Sequence, residues 1–304
     1  MNLGSFLIGN ESPEDSYHYL RLCLIRGLGG IYFLVFSIIY FQGTALWGDR
    51  GLLPITKLTL SAEQQLGPGA WTTFWHLPSL FYFASADHAI PIFALLGLAL
   101  ATAMLLGYAN FFVLFVVWIL QLSFCNSGQL FYSYGWETQL LEFTFLCFFL
   151  VPFFSWNLKS TASPAPRIVI WALRWMLFRL MLGAGLIKIR GDECWTDLTC
   201  LIYHYETQPN PHPLSYFFHQ MPALFHQAGV LFNHFVELIV PFAYFGPAKA
   251  RRLAGLISAI FQLTLIASGN LAWLNWLTLL MCLPCLDDGF LRKTIPSAAK
   301  PSRW

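Results

Sequence analysis

Apolar stretches long enough to cross a lipid bilayer recur along almost the whole chain. A spanning helix needs about 20 mostly apolar residues. Charged residues make up only 11% of the 304 residues, whereas a soluble domain has about 25%. We therefore predict an all-α fold, a polytopic transmembrane helix bundle of about eight spans. The predicted spans lie near residues 24–42, 89–106, 108–124, 135–155, 168–189, 226–246, 253–268 and 271–286.

The last two predicted spans are short, and only Gly269 and Asn270 separate them. The sequence is compatible with a tight hairpin of two short helices and also with one re-entrant element. At the other end of the chain, the polar first twenty residues lack the apolar core of a signal peptide. The first span would therefore also direct the protein to the membrane.

The basic residues of the loops indicate the orientation of the bundle. Positive side chains collect on the cytosolic side of membranes. With eight spans, the only basic loop residues on the side opposite both termini are Arg50, Lys57 and Arg190. This distribution predicts a cytosolic location for both chain ends.

The resulting domain organisation is a transmembrane helical domain over residues 24–286 between two cytosolic ends, residues 1–23 and 287–304. Structured lumenal loops would lie at 43–88 and 190–225; the first is too long to be a plain connector, and the second has the composition of a folded extramembrane site. The Asn10-Glu11-Ser12 sequon would stay unglycosylated on the cytosolic side. The net charge of +2 and the absence of a Lys/Arg run give no indication of nucleic-acid binding.

Acidic and basic side chains lie inside the predicted spans in equal numbers. Buried charges are costly unless they are paired, so we interpret them as a structural intramembrane charge network. Two alternatives are a proton- or ligand-binding carboxylate and a transporter that uses these charges. The network comprises Glu137, Glu142, Arg174, Arg179, Lys188 and Glu237.

Two cysteines flank the polar segment of the second long loop, Cys194 and Cys200. In an oxidising lumen they would form a structural disulfide; free thiols and a redox pair are the alternatives, although a dithiol oxidoreductase usually has C-x-x-C spacing. The acids and histidine nearby have no diagnostic ligand spacing, so we predict no metal site and no cofactor. Cys282-Leu-Pro-Cys285 has the redox spacing but lies in an apolar span without a βαβ pattern.

Small and polar residues within the spans have structural interpretations. Asn233, His234 and Glu237 share one face of the sixth span, and polar contacts between helices explain them better than an incomplete metal site does. Glycines of the first and fifth spans are expected to allow close helix contact. They are Gly27, Gly29, Gly30, Gly183 and Gly185.

The chain resembles the lipase maturation factor family from about residue 20 to 290. The resemblance rests on motifs in a fixed order, namely GWETQLLEFTFL, RWMLFRLMLGAGLIKIRGDECWTDLTCLIYHYETQPNPHPLSYFFHQ, NHFVELIVPF and SGNLAWLNWLTLL followed by LDD. It implies a multi-pass endoplasmic-reticulum membrane protein that assists the folding, maturation and secretion of dimeric lipases. It carries over no catalytic residues, and it implies secreted lipases and membrane lipid as partners.

On this resemblance, the second long loop would face the folding client. The residues expected to form that surface are Asp192, Glu193, Cys194, Trp195, Cys200, His204, Tyr205 and Glu206. Family members continue beyond LDD with another span and a lumenal domain, so we expect a short or truncated member. A membrane-bound thiol oxidoreductase or carboxylase-like enzyme is the alternative, the latter because the family distantly resembles the membrane part of vitamin-K-dependent carboxylases.

Overall fold

The computed structural model describes residues 17–67, 69–158 and 165–294. The Asn10 sequon and the last ten residues lie outside these ranges. Within them the regular elements are helical, and Tyr108 and Asn157 form an isolated β-bridge. The α-helices are α1 (His18–Trp47), α2 (Ile55–Leu66), α3 (Ala70–His76), α4 (Ala86–Leu106), α5 (Phe111–Ser127), α6 (Gly135–Cys147), α7 (Arg167–Gly191), α8 (Glu193–Thr196), α9 (Cys200–His204), α10 (Ser215–His219), α11 (Ala223–His234), α12 (Ala248–Ser268), α13 (Leu274–Cys282) and α14 (Asp288–Thr294).

Among the described residues, five helices are long and apolar enough to cross a membrane: α1, α4, α7, α12 and the helix Ala223–Phe245 that α11 begins. Two shorter apolar helices are α5 and Leu274–Cys285, which contains α13. The remaining predicted span, the fourth in chain order, corresponds to α6, which carries Glu137 and continues into a 3-10 turn that ends at Leu150. A multi-pass helical membrane protein is thus confirmed, whereas the prediction of about eight full spans holds only approximately.

The short spans at the end of the chain form a pair of helices. A Cβ atom placed on Gly255 of α12 would lie 2.6 Å from the Cβ of Cys285, at the end of the last span. The two backbones therefore approach closely. The hairpin interpretation describes this region better than a single re-entrant element.

The chain divides into two compact units, and the described residues of the first unit are 21–67 and 69–158. Its helices α1 and α4 touch at Gly29, where an added Cβ would lie 2.8 Å from the backbone nitrogen of Leu105. The hydroxyl of Tyr32 is 2.7 Å from that of Thr144, which links α1 to α6. At the end of α1, the indole of Trp47 donates to the carbonyl of Gly128. Close backbone contact and satisfied polar groups thus fix this helix packing.

The described residues of the second unit are 17–20 and 165–294. Here the segment that was predicted to start a cytosolic tail is part of the core, because Asp287 and Asp288 are both fully buried. Asp287 accepts two hydrogen bonds from Arg252, at 2.7 and 2.8 Å, and one from Arg251 at 3.1 Å. The packed domain therefore extends beyond residue 286.

Asp288 stabilises the beginning of α1. Its carboxylate accepts hydrogen bonds from the backbone N–H groups of His18, Tyr19 and Leu20 at 2.7 to 3.2 Å. The first N–H groups of a helix have no partner within the helix and carry a partial positive charge. A carboxylate from the far end of the sequence satisfies them here.

Candidate functional site

The candidate site is the segment between α7 and α11, residues 192–222, which we call the disulfide loop. Its local sequence explains how it begins: Asp192 accepts a hydrogen bond from the backbone N–H of Cys194 at 2.9 Å and so caps α8. Leu198, with φ 59°, turns the chain between α8 and α9. The loop therefore contains three short helices, of which the first is capped by a side chain.

The structure joins Cys194 and Cys200 in a disulfide, with their Cα atoms 4.7 Å apart. The carboxylate of Asp192 lies within 4.8 Å of both sulfur atoms. Disulfide sulfurs are not thiolates, so in this form they are poor metal ligands. Cys282 and Cys285 are instead free and buried.

A cluster of polar side chains fastens the disulfide loop to the ends of two helices. Lys188 Nζ lies 2.6 Å from Glu237 Oε1 and 2.8 Å from Asn233 Oδ1, and Asn233 Nδ2 donates to the other carboxylate oxygen at 2.8 Å. Lys188 also lies over the ring of Trp195, 4.9 Å from its centroid. His234 Nε2 is 2.9 Å from the Trp195 carbonyl oxygen. We call these five residues the Lys188 node.

The helix is irregular around Glu237 because a proline follows four residues later. Phe235–Ile239 forms a π-helical turn, and Pro241 follows it. Proline lacks an N–H and crowds the carbonyl four residues earlier, here that of Glu237. On the facing helix, a Cβ on Gly185 would lie 2.6 Å from Leu238 Cδ2, whereas Gly183 has open space. Of the glycines expected to permit close contact, Gly185 thus does so at this node and Gly183 does not.

A second attachment holds the middle of the disulfide loop. Gln208 Nε2 donates to the carbonyl of Ser268 at 3.0 Å, and the hydroxyl of Ser215 donates to the same oxygen at 2.8 Å. A Cβ on Gly269 would lie 3.2 Å from Gln208 Oε1. Because Ser268 ends α12, these bonds tie the loop to another spanning helix and occupy one of its terminal carbonyls.

Aromatic side chains give the disulfide loop a small core of its own. The ring of the buried Tyr205 stacks on Phe218, with 5.7 Å between centroids, and lies at the same distance from His226. Burial raises the pKa of Tyr205. Burial, with a smaller contribution from Lys188, lowers the pKa of His204. Both side chains are therefore uncharged at neutral pH.

The residues that we expected at the loop surface divide into two groups. Asp192, Glu193 and Glu206 are exposed, the last 3.8 Å from His219 Nε2. Cys194, Trp195, Cys200 and His204 are half-buried and Tyr205 is buried. The latter group holds the loop together more than it forms its surface.

The aromatic surface of the disulfide loop lies at other positions. Tyr203, Tyr216 and Phe217 are 58%, 66% and 60% exposed. Sequence reasoning missed them because an aromatic residue is usually buried. Adjacent aromatic pairs in a polar loop are a weak sequence signal, and Tyr216-Phe217 is such a pair.

The expected charge network has a different pattern of partners. Lys188 pairs with Glu237, whereas Glu137 accepts a hydrogen bond from the amide of Gln121 at 2.9 Å. Arg174 donates to the carbonyl of Pro284 and to the hydroxyl of Tyr17. Glu142 and Arg179 also make interactions. Neutral groups thus satisfy two charges for which we had expected ionic partners.

These features define the class of the protein as a multi-pass helical membrane protein with a folded, disulfide-containing loop. The family model described as "Lipase maturation factor transmembrane domain" matches residues 19–293. The chain belongs to the lipase maturation factor family, as its sequence motifs had predicted.

The relatives are similar over most of this chain. Lipase maturation factor 1 of Mus musculus is 44% identical over 283 residues, which cover 91% of this chain and 49% of the relative. The Homo sapiens protein of that name is 42% identical, with 91% and 50% covered. Lipase maturation factor 2 of Xenopus tropicalis is 34% identical, with 88% and 39% covered. The chain thus spans about half the length or less of these relatives. No solved structure matches it.

Proposed function

We propose that this protein assists the folding and secretion of dimeric lipases from the endoplasmic-reticulum membrane, as a binding factor and not as an enzyme. The name of its relatives, lipase maturation factor, supports the client class. In this proposal the disulfide loop faces the lumen and binds the immature lipase. The bundle supplies a rigid support for that loop.

One observation carries this proposal: a well-anchored loop presents exposed aromatic side chains. Tyr203, Tyr216 and Phe217 are exposed, while the Lys188 node and Gln208 attach the same loop to spanning helices. Tyrosine and phenylalanine are enriched at protein interfaces. A pre-ordered loop also loses less conformational entropy on binding than a flexible one. An incompletely folded lipase, which exposes apolar surface, fits such a partner site.

Site-specific photocrosslinking tests this assignment. A photoreactive phenylalanine analogue would replace Tyr216 in the full chain, which is co-expressed with a secreted dimeric lipase. We expect a crosslink to immature intracellular lipase. The matched control carries the analogue at Trp156, which is 57% exposed and lies in a predicted cytosolic loop. Equal crosslinking at both positions, or none at residue 216, would contradict the proposal.

The lumenal position of the loop needs its own test. Pro213→Asn creates an Asn-Leu-Ser sequon in the disulfide loop, and Lys159→Thr creates Asn-Leu-Thr at Asn157 in a predicted cytosolic loop. We expect an endoglycosidase-sensitive glycan only on the first variant. A glycan on Asn157 or on the natural sequon at Asn10 would reverse the orientation.

A thiol oxidoreductase is the second candidate, because the loop contains the Cys194–Cys200 disulfide. In that case Cys200→Ser would leave a nucleophilic Cys194 that accumulates a mixed disulfide with a client cysteine. We expect no such adduct on non-reducing gels after acid quenching. A lipase adduct that disappears in the Cys194→Ser variant would favour the redox function.

A further inference from the structure

The loop between α1 and α4, residues 48–85, contains a short helix whose apolar face points outward. We call this segment the tryptophan loop. In α3, Trp71 and Trp75 are 66% and 77% exposed, while Thr73 is fully buried. The Thr73 hydroxyl donates to the carbonyl of Gly69 at 3.2 Å. This arrangement is the reverse of the one that water favours, because a water-exposed helix buries its apolar face.

The outward aromatic side chains form one contiguous patch. Trp71 and Trp75 follow one another at i, i+4, and Phe74 lies beside them at i+3. The ring of Phe83, 44% exposed, has its centroid 4.7 Å from that of Trp71 and 5.8 Å from that of Phe74. We call Trp71, Phe74, Trp75 and Phe83 the Trp71 cluster. Exposed apolar surfaces of this kind mark protein or membrane contacts.

The covalent connection to α4 places this patch close to a bilayer surface. Helix α4 has 21 residues and is a candidate membrane span, so it is about 31 Å long. That length matches the roughly 30 Å hydrocarbon core of a bilayer, and Ala86 therefore lies at its edge. Phe83 precedes Ala86 by three residues, which extend over at most about 11 Å.

The position and chemistry of the patch agree with the headgroup region. Polar headgroups add roughly 5–8 Å on each side of the hydrocarbon core, which is within the reach of a chain that ends at Ala86. Tryptophan is enriched at this depth because its ring is apolar and its indole N–H is polar. Gly67 and Gly69, with φ 121° and 109°, permit the turn that starts α3.

We propose that the Trp71 cluster is a membrane-interface anchor that inserts between the phospholipid headgroups beside the end of α4. Its partner is the lipid bilayer, and it requires no client protein. On the adjoining span α4, Ile92 and Leu95 are also exposed. In this position the exposed tryptophans lie in the environment that they prefer.

Depth measurement in protein-containing liposomes tests the proposal. The full chain with Trp75→Cys is labelled with a nitroxide and reconstituted into phosphatidylcholine vesicles without any client. Collision rates with oxygen, which concentrates in the bilayer, and with a water-soluble nickel chelate are then compared. The control label is at Gln64→Cys on α2, an exposed polar position of the same loop. Protein without an added cysteine supplies the background from native thiols.

We expect the ratio of oxygen to nickel accessibility to be several-fold higher at residue 75 than at residue 64. Trp71→Cys, labelled in the same way, should reproduce this result, and it guards against misfolding of one variant. Nickel accessibility at residue 75 equal to that at residue 64 would overturn the proposal. Low accessibility to both reagents would also overturn it, because the position would then be packed against protein.

Discussion

The disulfide loop and the tryptophan loop both connect spanning helices, but they are held in different ways. In the disulfide loop, buried polar groups and a disulfide fix the backbone. In the tryptophan loop, the hydroxyl residues Thr73 and Ser79 are buried, Ser79 bonds to the hydroxyl of Ser127, and the tryptophans remain outside. The difference indicates that an ion pair and a disulfide order the first loop, whereas neutral hydrogen bonds attach the second loop and the bilayer covers its tryptophans.

The largest expected effect is the loss of stability when the lysine that anchors the disulfide loop is removed. Lys188→Ala should lower the free energy of unfolding in detergent by about 3 kcal/mol, because it leaves the carboxylate of Glu237 buried without its cation. Lys57→Ala, at an exposed lysine of the tryptophan loop, should change it by less than about 0.5 kcal/mol. Denaturant titration monitored by circular dichroism gives both values.

A double variant checks the cause of that loss. Lys188→Met with Glu237→Gln removes both charges and should recover part of the stability. If the double variant is as unstable as the sum of its single changes, the ion pair is not the reason. Equal losses at Lys188 and Lys57 would remove the distinction between the loops.

The disulfide should have the next largest effect, and a local one. Replacing Cys194 and Cys200 by serine should destabilise the closed form of the loop by about 2 kcal/mol, as loop-closure entropy predicts for a separation of six residues. Limited proteolysis should then cut within residues 192–222 more rapidly. Cys23→Ser, in the first unit, is the control and should not alter cleavage there. Unchanged proteolysis in the double variant would show that the Lys188 node and the Gln208 attachment order the loop without the disulfide.

Protonation of His204 should loosen the disulfide loop to a smaller extent. Because the pKa of His204 is lowered from 6.5 in the folded protein, the unfolded loop binds protons more readily. The stability that the folded loop gains from an uncharged His204 is complete above pH 6.5. It is lost as the pH falls from there towards the folded-state pKa of His204. Proteolysis of the loop should therefore accelerate below pH 6.5. His204→Gln should remove this pH dependence, and its persistence would implicate another group.

The sequence predicted the spans and the family because these depend on long apolar runs and ordered motifs. It also located the charged residues that fall within apolar helical segments, but not their partners. Equal numbers of acids and bases do not specify pairing, and amides and carbonyls such as those of Gln121 and Pro284 satisfy charges as well. Asp287 and Asp288 were assigned to a tail for a similar reason. Their partners, at Arg252 and His18, are distant in sequence.

The local sequence pattern also could not predict which side of a short helix is buried. The sequence AWTTFWH has one aromatic face, and an aromatic face normally predicts the side that is buried in protein. In a membrane protein the lipid interface is a second apolar environment, so the face alone does not specify which environment it meets. Only the placement of Thr73 inside and Trp71 outside decides between them.

The smallest expected effect is the most informative about the tryptophan loop. In detergent, Trp75→Gln should change the free energy of unfolding by less than about 0.5 kcal/mol, because the ring has few protein contacts to lose. Trp47→Phe is the control: its indole N–H donates to the Gly128 carbonyl in the core, so its loss should cost about 1 kcal/mol or more. A large loss at residue 75, measured by the same denaturant titration, would mean that the tryptophan loop carries its own stabilising contacts. The contrast with the disulfide loop would then disappear, because both loops would be held by protein alone.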